Sequence, residues 1–406
     1  MTVAQGINKI TVYKSQSGLG VPANGSGGQI LRRRTSEARR NRATYVNDEI
    51  VQHQQSTGVN LGSSTTEWNY DGLLSSGTFS ALFQALLRKD FTATSAVTGL
   101  SITIAGSGPY TLTDGGADFL AAGLKIGDVV RITAGTYSNP VNRDNNLLIT
   151  GLTATVITCI TLNGTALIAE GPIASSTVTV IGKKTMAPLT GHTDTLFTIE
   201  EWYEDLGRSE LFPDMRMGET DINLPATGNA GVRINGMGLG VRTLSNAQVL
   251  TTPNPATETG VLTAVRGLLV HGGTALGTVT GLSMKISPNL LAEGPIVGSN
   301  YPPDMSRGRV EVTGQFTALF DSATLGQLYD AETLTSLIGV FSEDTTNTSN
   351  FVSFSIGALK LTNDQPDDGE KAIVRTYPFT AQLNTAGGPA LANDKTIITI
   401  QDSQAA

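Results

Sequence analysis

The sequence has a single cysteine, few aromatic residues and little charge, and these scarcities exclude several classes of protein. Cys159 alone allows neither an intramolecular disulfide nor a multi-thiolate metal site, so we expect folding in a reducing compartment. No apolar stretch is long enough to cross a bilayer. The segment Met1–Gly18 lacks the apolar block of a signal peptide, which argues against export by the general secretory route.

Glycine is abundant, with 46 residues, and short apolar segments alternate with turn residues along the chain. This pattern is typical of a mainly β protein built from many short strands. One segment differs, because apolar residues in Gly77–Phe91 recur at i, i+3, i+4, i+7 and i+8. It predicts a helix over 77–91 with Ser76 or Thr78 as its N-cap.

Residues 97–185 differ in character from the rest of the chain. Five short strands are predicted there, at 101–104, 128–132, 147–149, 155–162 and 177–181. Basic and acidic residues balance within this block. We therefore predict a small all-β domain of residues 97–185, inserted into a larger domain formed by residues 1–96 and 186–406.

Charge is segregated along the chain. Residues 1–42 carry eight basic side chains against Glu37 alone, a net charge of +7, so the remainder must carry −15 to give the total of −8. Such segregation favours association between copies of the chain, or a basic arm on nucleic acid. The run Arg32–Arg42 has no interleaved aromatic residue before Tyr45, which argues against base stacking and favours an acidic surface on a neighbouring subunit.

Residues that could carry chemistry are present but poorly arranged. His53, His192 and His271 have no metal-ligand spacing and are expected in exposed loops. Four carboxylates beside Trp202 suggest a glycosidase site, although neighbours on a strand point to opposite faces, so a solvated strand end is the favoured interpretation; they are Glu200, Glu201, Glu204 and Asp205.

The acidic segment 364–370 has a composition compatible with calcium but lacks the spacing of a calcium loop, so an acidic hairpin turn is favoured and a metal there stays open. Gly236–Gly240 lacks the GxGxxG spacing, and Gly182–Thr185 lacks the leading glycine of a phosphate loop. The sequence predicts no catalytic residue and no cofactor.

Several segments, in order along the chain, resemble the tail tube proteins of long-tailed, non-contractile bacteriophages. They are Gln29–Glu37, Asn47–Ile50, Gly77–Phe83, Leu196–Trp202, Leu211–Met217, Ile296–Ser299, Ser306–Phe316 and Val374–Ala381. Residues 97–185 fall outside this resemblance, which places them as a decorating insertion on the outer wall of the tube.

The resemblance implies an antiparallel β-sandwich or barrel flanked by a helix, in a structural virion protein. Six copies would form a ring, and rings would stack through an N-terminal arm, a long loop and a C-terminal arm. The tape-measure protein and then genome DNA would occupy the lumen, without specific binding. The protein would be found in the virion tail, and in the cytoplasm of the bacterial host before assembly. The candidate contacts between subunits or rings are Arg32, Arg33, Arg34, Arg39, Arg40, Arg42, Glu49, Gln52, His53 and Gln54.

Two alternatives remain from the sequence. One is a β-rich virion or surface protein that binds a receptor or carbohydrate through residues 97–185, although this block has only three aromatic residues for stacking on sugars, Tyr110, Phe119 and Tyr137. The other is an enzyme acting on polysaccharide, with Glu200 as its best candidate residue.

Overall fold

A computed structural model describes residues 3–50, 52–53, 55, 57–225, 227–367 and 372–405. The protein is mainly β, as the sequence predicts. The strands that precede the predicted insertion are β1 (Lys9–Ser15), β2 (Gly25–Ser26), β3 (Gln29–Ile30), β4 (Thr35–Val46) and β5 (Val59–Leu73). Those within it are β6 (Val97–Ala105), β7 (Tyr110–Thr113), β8 (Val129–Ala134), β9 (Leu147–Leu152), β10 (Val156–Thr161) and β11 (Glu170–Val180).

The remaining strands follow the insertion. They are β12 (Lys183–Met186), β13 (Phe197–Tyr203), β14 (Arg208–Leu224), β15 (Gly231–Gly238), β16 (Thr243–Ser245), β17 (Leu250–Thr251), β18 (Gly267–His271), β19 (Thr274–Ala275), β20 (Val279–Ser287), β21 (Leu290–Ala292), β22 (Met305–Arg307), β23 (Glu311–Leu319), β24 (Thr335–Ser342), β25 (Phe351–Leu361), β26 (Gln365–Pro366), β27 (Val374–Ala381) and β28 (Thr399–Asp402). The helices are α1 (Ser80–Leu87) and α2 (Thr324–Asp330).

Most strands belong to one large antiparallel sheet, which turns a corner at the long strand β14. The first part of β14 pairs with β13 and β16, and its second part pairs with β15 and β20. The corner lies at Pro213–Asp214, where Asp214 has a positive φ of 58°. Strands β1 and β28, which contain residues expected in terminal arms, both lie within the sheet.

Helix α1 packs against this sheet. Aromatic rings link the helix to the sheet on both sides: Tyr70 of β5 packs on Phe79, and Phe83 packs edge-on against Phe354 of β25 at 6.1 Å between centroids. Six of its eight residues are buried. Burial of each large apolar side chain stabilises the fold by about 1.5–3 kcal/mol. The helix is therefore a central part of the core.

The helix is shorter than the predicted 77–91. It ends because Arg88 adopts a left-handed conformation with φ 60°, after which the Lys89 amide bonds back to Gln84. Its N-cap is Phe79 rather than Ser76 or Thr78. The Thr78 hydroxyl is used instead in hydrogen bonds to the side chains of Ser75 and Thr257.

Strands β6 to β11 close into a six-stranded barrel in the order β10-β7-β6-β11-β8-β9. The barrel has its own core of buried apolar residues, including Phe119 and Cys159. The sequence predicted five of its strands and missed β7. The division at residues 97–185 and the position of this block on an outer wall stay predictions.

The barrel is joined to the large sheet by a second apolar cluster and by buried ion pairs that Lys184 forms with Asp128 and Asp394. Val129 and Leu148 of the barrel pack in one cluster with Val270, Ile338 and Phe351 of the sheet. The chain enters and leaves the barrel at one point, where Thr92 and Lys184 exchange both backbone hydrogen bonds at 2.9 Å.

A long hairpin formed by β4 and β5 extends past the end of the sheet. Strand β5 pairs with β15 from Leu73 to Thr66, and the residues from Thr65 back to Val59 pair with β4. Seven residues of extended strand span roughly 20 Å. The hairpin therefore carries Val46 and Val59 past the last residues of β5 that pair with β15.

Candidate functional site

The first arginines of the basic run bind backbone carbonyls of their own chain. Arg32 donates to the carbonyl oxygens of Thr257 and Thr259, at 3.3 and 2.5 Å, and Arg33 donates to Gly6 at 2.7 Å and to Lys9. These contacts tie the segment before β4 to the rest of the chain. They give both guanidinium groups an intrachain role beside the predicted contact with a neighbour.

The next arginines lie along β4 or just before it, and three have partners on the same hairpin or next to it. Arg34 pairs with Asp71 at 3.5 Å, and Arg39 pairs with Glu67 at 2.9 Å. Arg40 donates to the hydroxyl of Tyr301 at 3.2 Å and lies over its ring. The Arg34 and Arg39 side chains are more than half exposed, so they remain accessible to a second subunit.

The remaining candidates cluster at the outer part of the hairpin. Arg42 is exposed on β4, and Glu49, Gln52 and His53 are exposed in the segment that joins β4 to β5. Gln54 lies outside the described residues. The nine described candidates therefore map to the hairpin and the segment that leads into it, and the contact of all ten with another subunit stays a prediction.

The same region exposes apolar side chains that the sequence did not single out. Tyr45, Val46, Ile50, Val59 and Leu61 are all exposed by half or more, and Ile50 is fully exposed. A folded protein rarely clusters apolar side chains in solvent without a partner surface. A strand that is exposed on both faces has the same sequence pattern as a strand with one buried face. The exposure of these apolar side chains is therefore seen only in the three-dimensional structure.

The acidic cluster beside Trp202 is not a solvated strand end, so that prediction was wrong for Glu200 and Glu201. Both carboxylates are buried on opposite faces of β13. Glu200 accepts hydrogen bonds from the backbone amides of Val249 and Leu250, at 2.7 and 2.8 Å, and from the Ser209 hydroxyl.

Glu201 binds the Lys9 ammonium at 2.7 Å and the Ala38 amide at 3.1 Å. Burial raises the pKa of this carboxyl, against the opposing effect of Lys9. Each carboxylate thus fastens a neighbouring segment to β13, and the two point away from each other. This geometry gives them a structural role.

The histidines and the acidic turn, the other residues considered for catalysis or metal binding, do not form such a site among the described residues either. His271 lies on β18 rather than in an exposed loop, and its Nε2 is 2.8 Å from the Thr335 hydroxyl, whereas His53 and His192 are exposed as predicted. Asp364 forms an ion pair with Arg375, and residues 368–371 of the acidic turn lie outside the described part of the chain. Within the described ranges, no cluster of three or more histidine, cysteine or acidic residues could hold a metal ion.

These features define a structural β protein whose most prominent surface is a projecting hairpin. A family model described as Phage tail tube protein matches residues 6–381, so the chain belongs to the phage tail tube protein family. The matched range runs through the barrel. No curated protein matches the chain.

Membership of this family makes the protein a structural component of the virion tail, which associates with itself and with other tail proteins. Among the described residues, no helix is long and apolar enough to span a membrane.

Proposed function

We propose that six copies of this protein form a ring and that rings stack into the tail tube. Genome DNA passes through the lumen during ejection, and the tape-measure protein occupies it beforehand. Subunits fold in the cytoplasm of the bacterial host and assemble there. The observation that carries the proposal is the projecting β4–β5 hairpin, whose end exposes Val46, Ile50 and Val59 in a member of the tail tube family.

The charge distribution supports this proposal. Residues 43–406 carry a net charge of −15, and an acidic wall repels the phosphates of DNA, so that DNA moves without binding. The arginines of the basic run lie on β4 and on the segment that leads into it, where exposed ones such as Arg34, Arg39 and Arg42 are available to acidic surfaces of neighbouring subunits.

The carbohydrate-binding alternative gains no support from the barrel. Tyr110 and Phe119 are buried in the barrel core and Tyr137 is half-buried, so two of its three aromatic side chains cannot stack on a sugar. The buried positions of Glu200 and Glu201 likewise remove the best candidates for hydrolysis.

The test is assembly with and without the hairpin end. Val46 and Val59 are directly paired, so residues 47–58 can be replaced by Asn-Gly, which closes a two-residue hairpin. We expect negative-stain electron microscopy to show rings and tubes for the full chain, and no tubes for the shortened chain. An unchanged melting temperature would show that the shortened chain is folded. A full-length protein that stays monomeric at every concentration and salt would refute the proposal.

A further inference from the structure

The hairpin end and an apolar groove lie at opposite ends of the same strands. Strand β5 runs from Val59 at the hairpin end to Leu73, which pairs with Gly231 of β15. Gly231 also pairs with β14 close to Leu224, and Leu224 pairs with Leu282 of β20. Fifteen residues of strand span roughly 50 Å, and this length separates the two ends.

The groove lies beside Leu224 and Leu282, with a volume of about 390 Å³. Most of its lining side chains are apolar, among them Val265, Leu268, Leu269, Leu276, Val279 and Phe341, and polar atoms form about half of the lining surface. Val265 is 84% exposed. Arg266 lies between two lining residues and is exposed, with its guanidinium donating to the backbone carbonyl of Glu343.

The hairpin end has the complementary chemistry. Val46 and Ile50 supply exposed apolar side chains, and Asp48 and Glu49 between them supply two exposed negative charges. An apolar and acidic segment therefore faces solvent at one end of the molecule, and an apolar groove with a basic side chain at its rim faces solvent at the other. Apolar burial would stabilise their contact, and the charges would orient it.

We propose that this groove receives the hairpin end of a second copy, in which Val46 and Ile50 enter the groove and Glu49 approaches Arg266. The inference rests on the proposed function and names the surface that accepts the hairpin. Because the two surfaces differ and lie at opposite ends, the contact is heterologous and does not close on itself. Each copy keeps one free groove and one free hairpin, so that stacking continues in one direction.

The test is a site-directed disulfide, which the sequence makes simple because the one native cysteine, Cys159, is fully buried in the barrel. An Ile50→Cys chain is mixed with a Val265→Cys chain, assembled into tubes and oxidised. We expect disulfide-linked dimers on a non-reducing gel. The matched control replaces Val265→Cys by Leu206→Cys, which is also an exposed apolar residue but lies outside the groove. It should give no dimers.

The outcomes separate this inference from the proposed function. If tubes form but the Val265→Cys mixture links no better than the Leu206→Cys control, the groove is not the acceptor, although stacking stands. A disulfide formed in isolated rings before stacking would place the contact within a ring and overturn the inference. If no tubes form under any condition, both proposals fail.

A charge exchange provides a second readout that introduces no cysteine. Both side chains are exposed, so Glu49→Arg and Arg266→Glu should leave the fold intact. Each single variant should form fewer tubes than the unmodified chain, and the double variant should recover them. A double variant that assembles no better than the worse single variant would overturn the proposed pairing of Glu49 with Arg266.

Discussion

Removing the charge of Lys184 should destabilise the junction between the barrel and the large sheet. The Lys184 ammonium lies 3.1 Å from Asp128 and 3.6 Å from Asp394, and the three side chains are 8%, 3% and 13% exposed. In Lys184→Met, two buried carboxylates would lose the ammonium that pairs with both of them. Removing one partner of a buried ion pair costs about 3–5 kcal/mol, because the remaining charge stays desolvated. We expect a loss of this size in the free energy of unfolding.

Guanidinium denaturation followed by tryptophan fluorescence measures this loss. The matched control is Lys183→Met, the same substitution at the neighbouring, less buried position of β12. It should cost under about 1 kcal/mol, as surface substitutions usually do. The double variant Lys184→Met with Asp128→Asn should recover part of the loss, because it removes one of the two facing charges. Equal losses for Lys184→Met and Lys183→Met would refute the reasoning.

The same cluster predicts a pH dependence. Burial disfavours the charged ammonium, but the carboxylates of Asp128 and Asp394 outweigh that effect and raise the pKa of Lys184 above its ordinary 10.5. A group whose pKa is raised by folding stabilises the protein fully below the unfolded value and loses this contribution as pH rises through the folded value. The difference in stability between the unmodified chain and Lys184→Met should therefore shrink above about pH 10.5.

Three further predictions concern single positions. Burial lowers the pKa of His271 below 6.5, so its contribution to stability is present above pH 6.5 and is lost as pH falls through the folded value. The melting temperature of His271→Gln should therefore depend less on pH between 7.5 and 5 than that of the unmodified chain. Parallel curves for the two proteins would contradict this. Gly182 and Gly164 both have a positive φ, but a Cβ at Gly182 would lie 2.1 Å from the Asp402 carbonyl oxygen, whereas one at Gly164 would meet nothing within 4 Å. Gly182→Ala should therefore lower the free energy of unfolding by about 1–3 kcal/mol more than Gly164→Ala. Equal losses in the two variants would disprove the clash. Burial raises the pKa of the Cys159 thiol to about 12. A thiol reagent should therefore leave Cys159 unmodified in the native protein at pH 8 and modify one thiol per chain in guanidinium. Rapid labelling of the native protein would show that the barrel opens.

The part of the fold that sequence predicts best is the part in which one local pattern dominates. The apolar spacing between Phe79 and Leu87 identifies α1, because a helix buried on most sides needs that repeat. Its end at Arg88 could not be predicted, since a left-handed arginine depends on the tertiary contacts around it. Strand β7 was missed because four residues carry too little periodicity to separate a strand from a turn.

The candidate site was predicted in outline only. The basic run and the candidate contact residues fall on the hairpin and the segment before it, but Glu200 and Glu201 were misplaced because burial of a carboxylate depends on donors distant in sequence. Glu201 is held by Lys9 and the Ala38 amide, which are more than 160 residues away. Nothing in the local sequence marks such partners. The groove at Val265 is likewise assembled from segments that meet only in the folded sheet.

The shared entry and exit of the barrel bears on how such a module could be gained, lost or exchanged. Because Thr92 and Lys184 are bonded backbone to backbone, the two chain ends left by excising the barrel would already be neighbours, and a tight turn could join them. The excision would nevertheless uncover Val270, Ile338 and Phe351, which the barrel now covers. Grafting a different module at this point is thus simple in topology, but the recipient needs either a replacement with a matching apolar underside or polar substitutions at those positions.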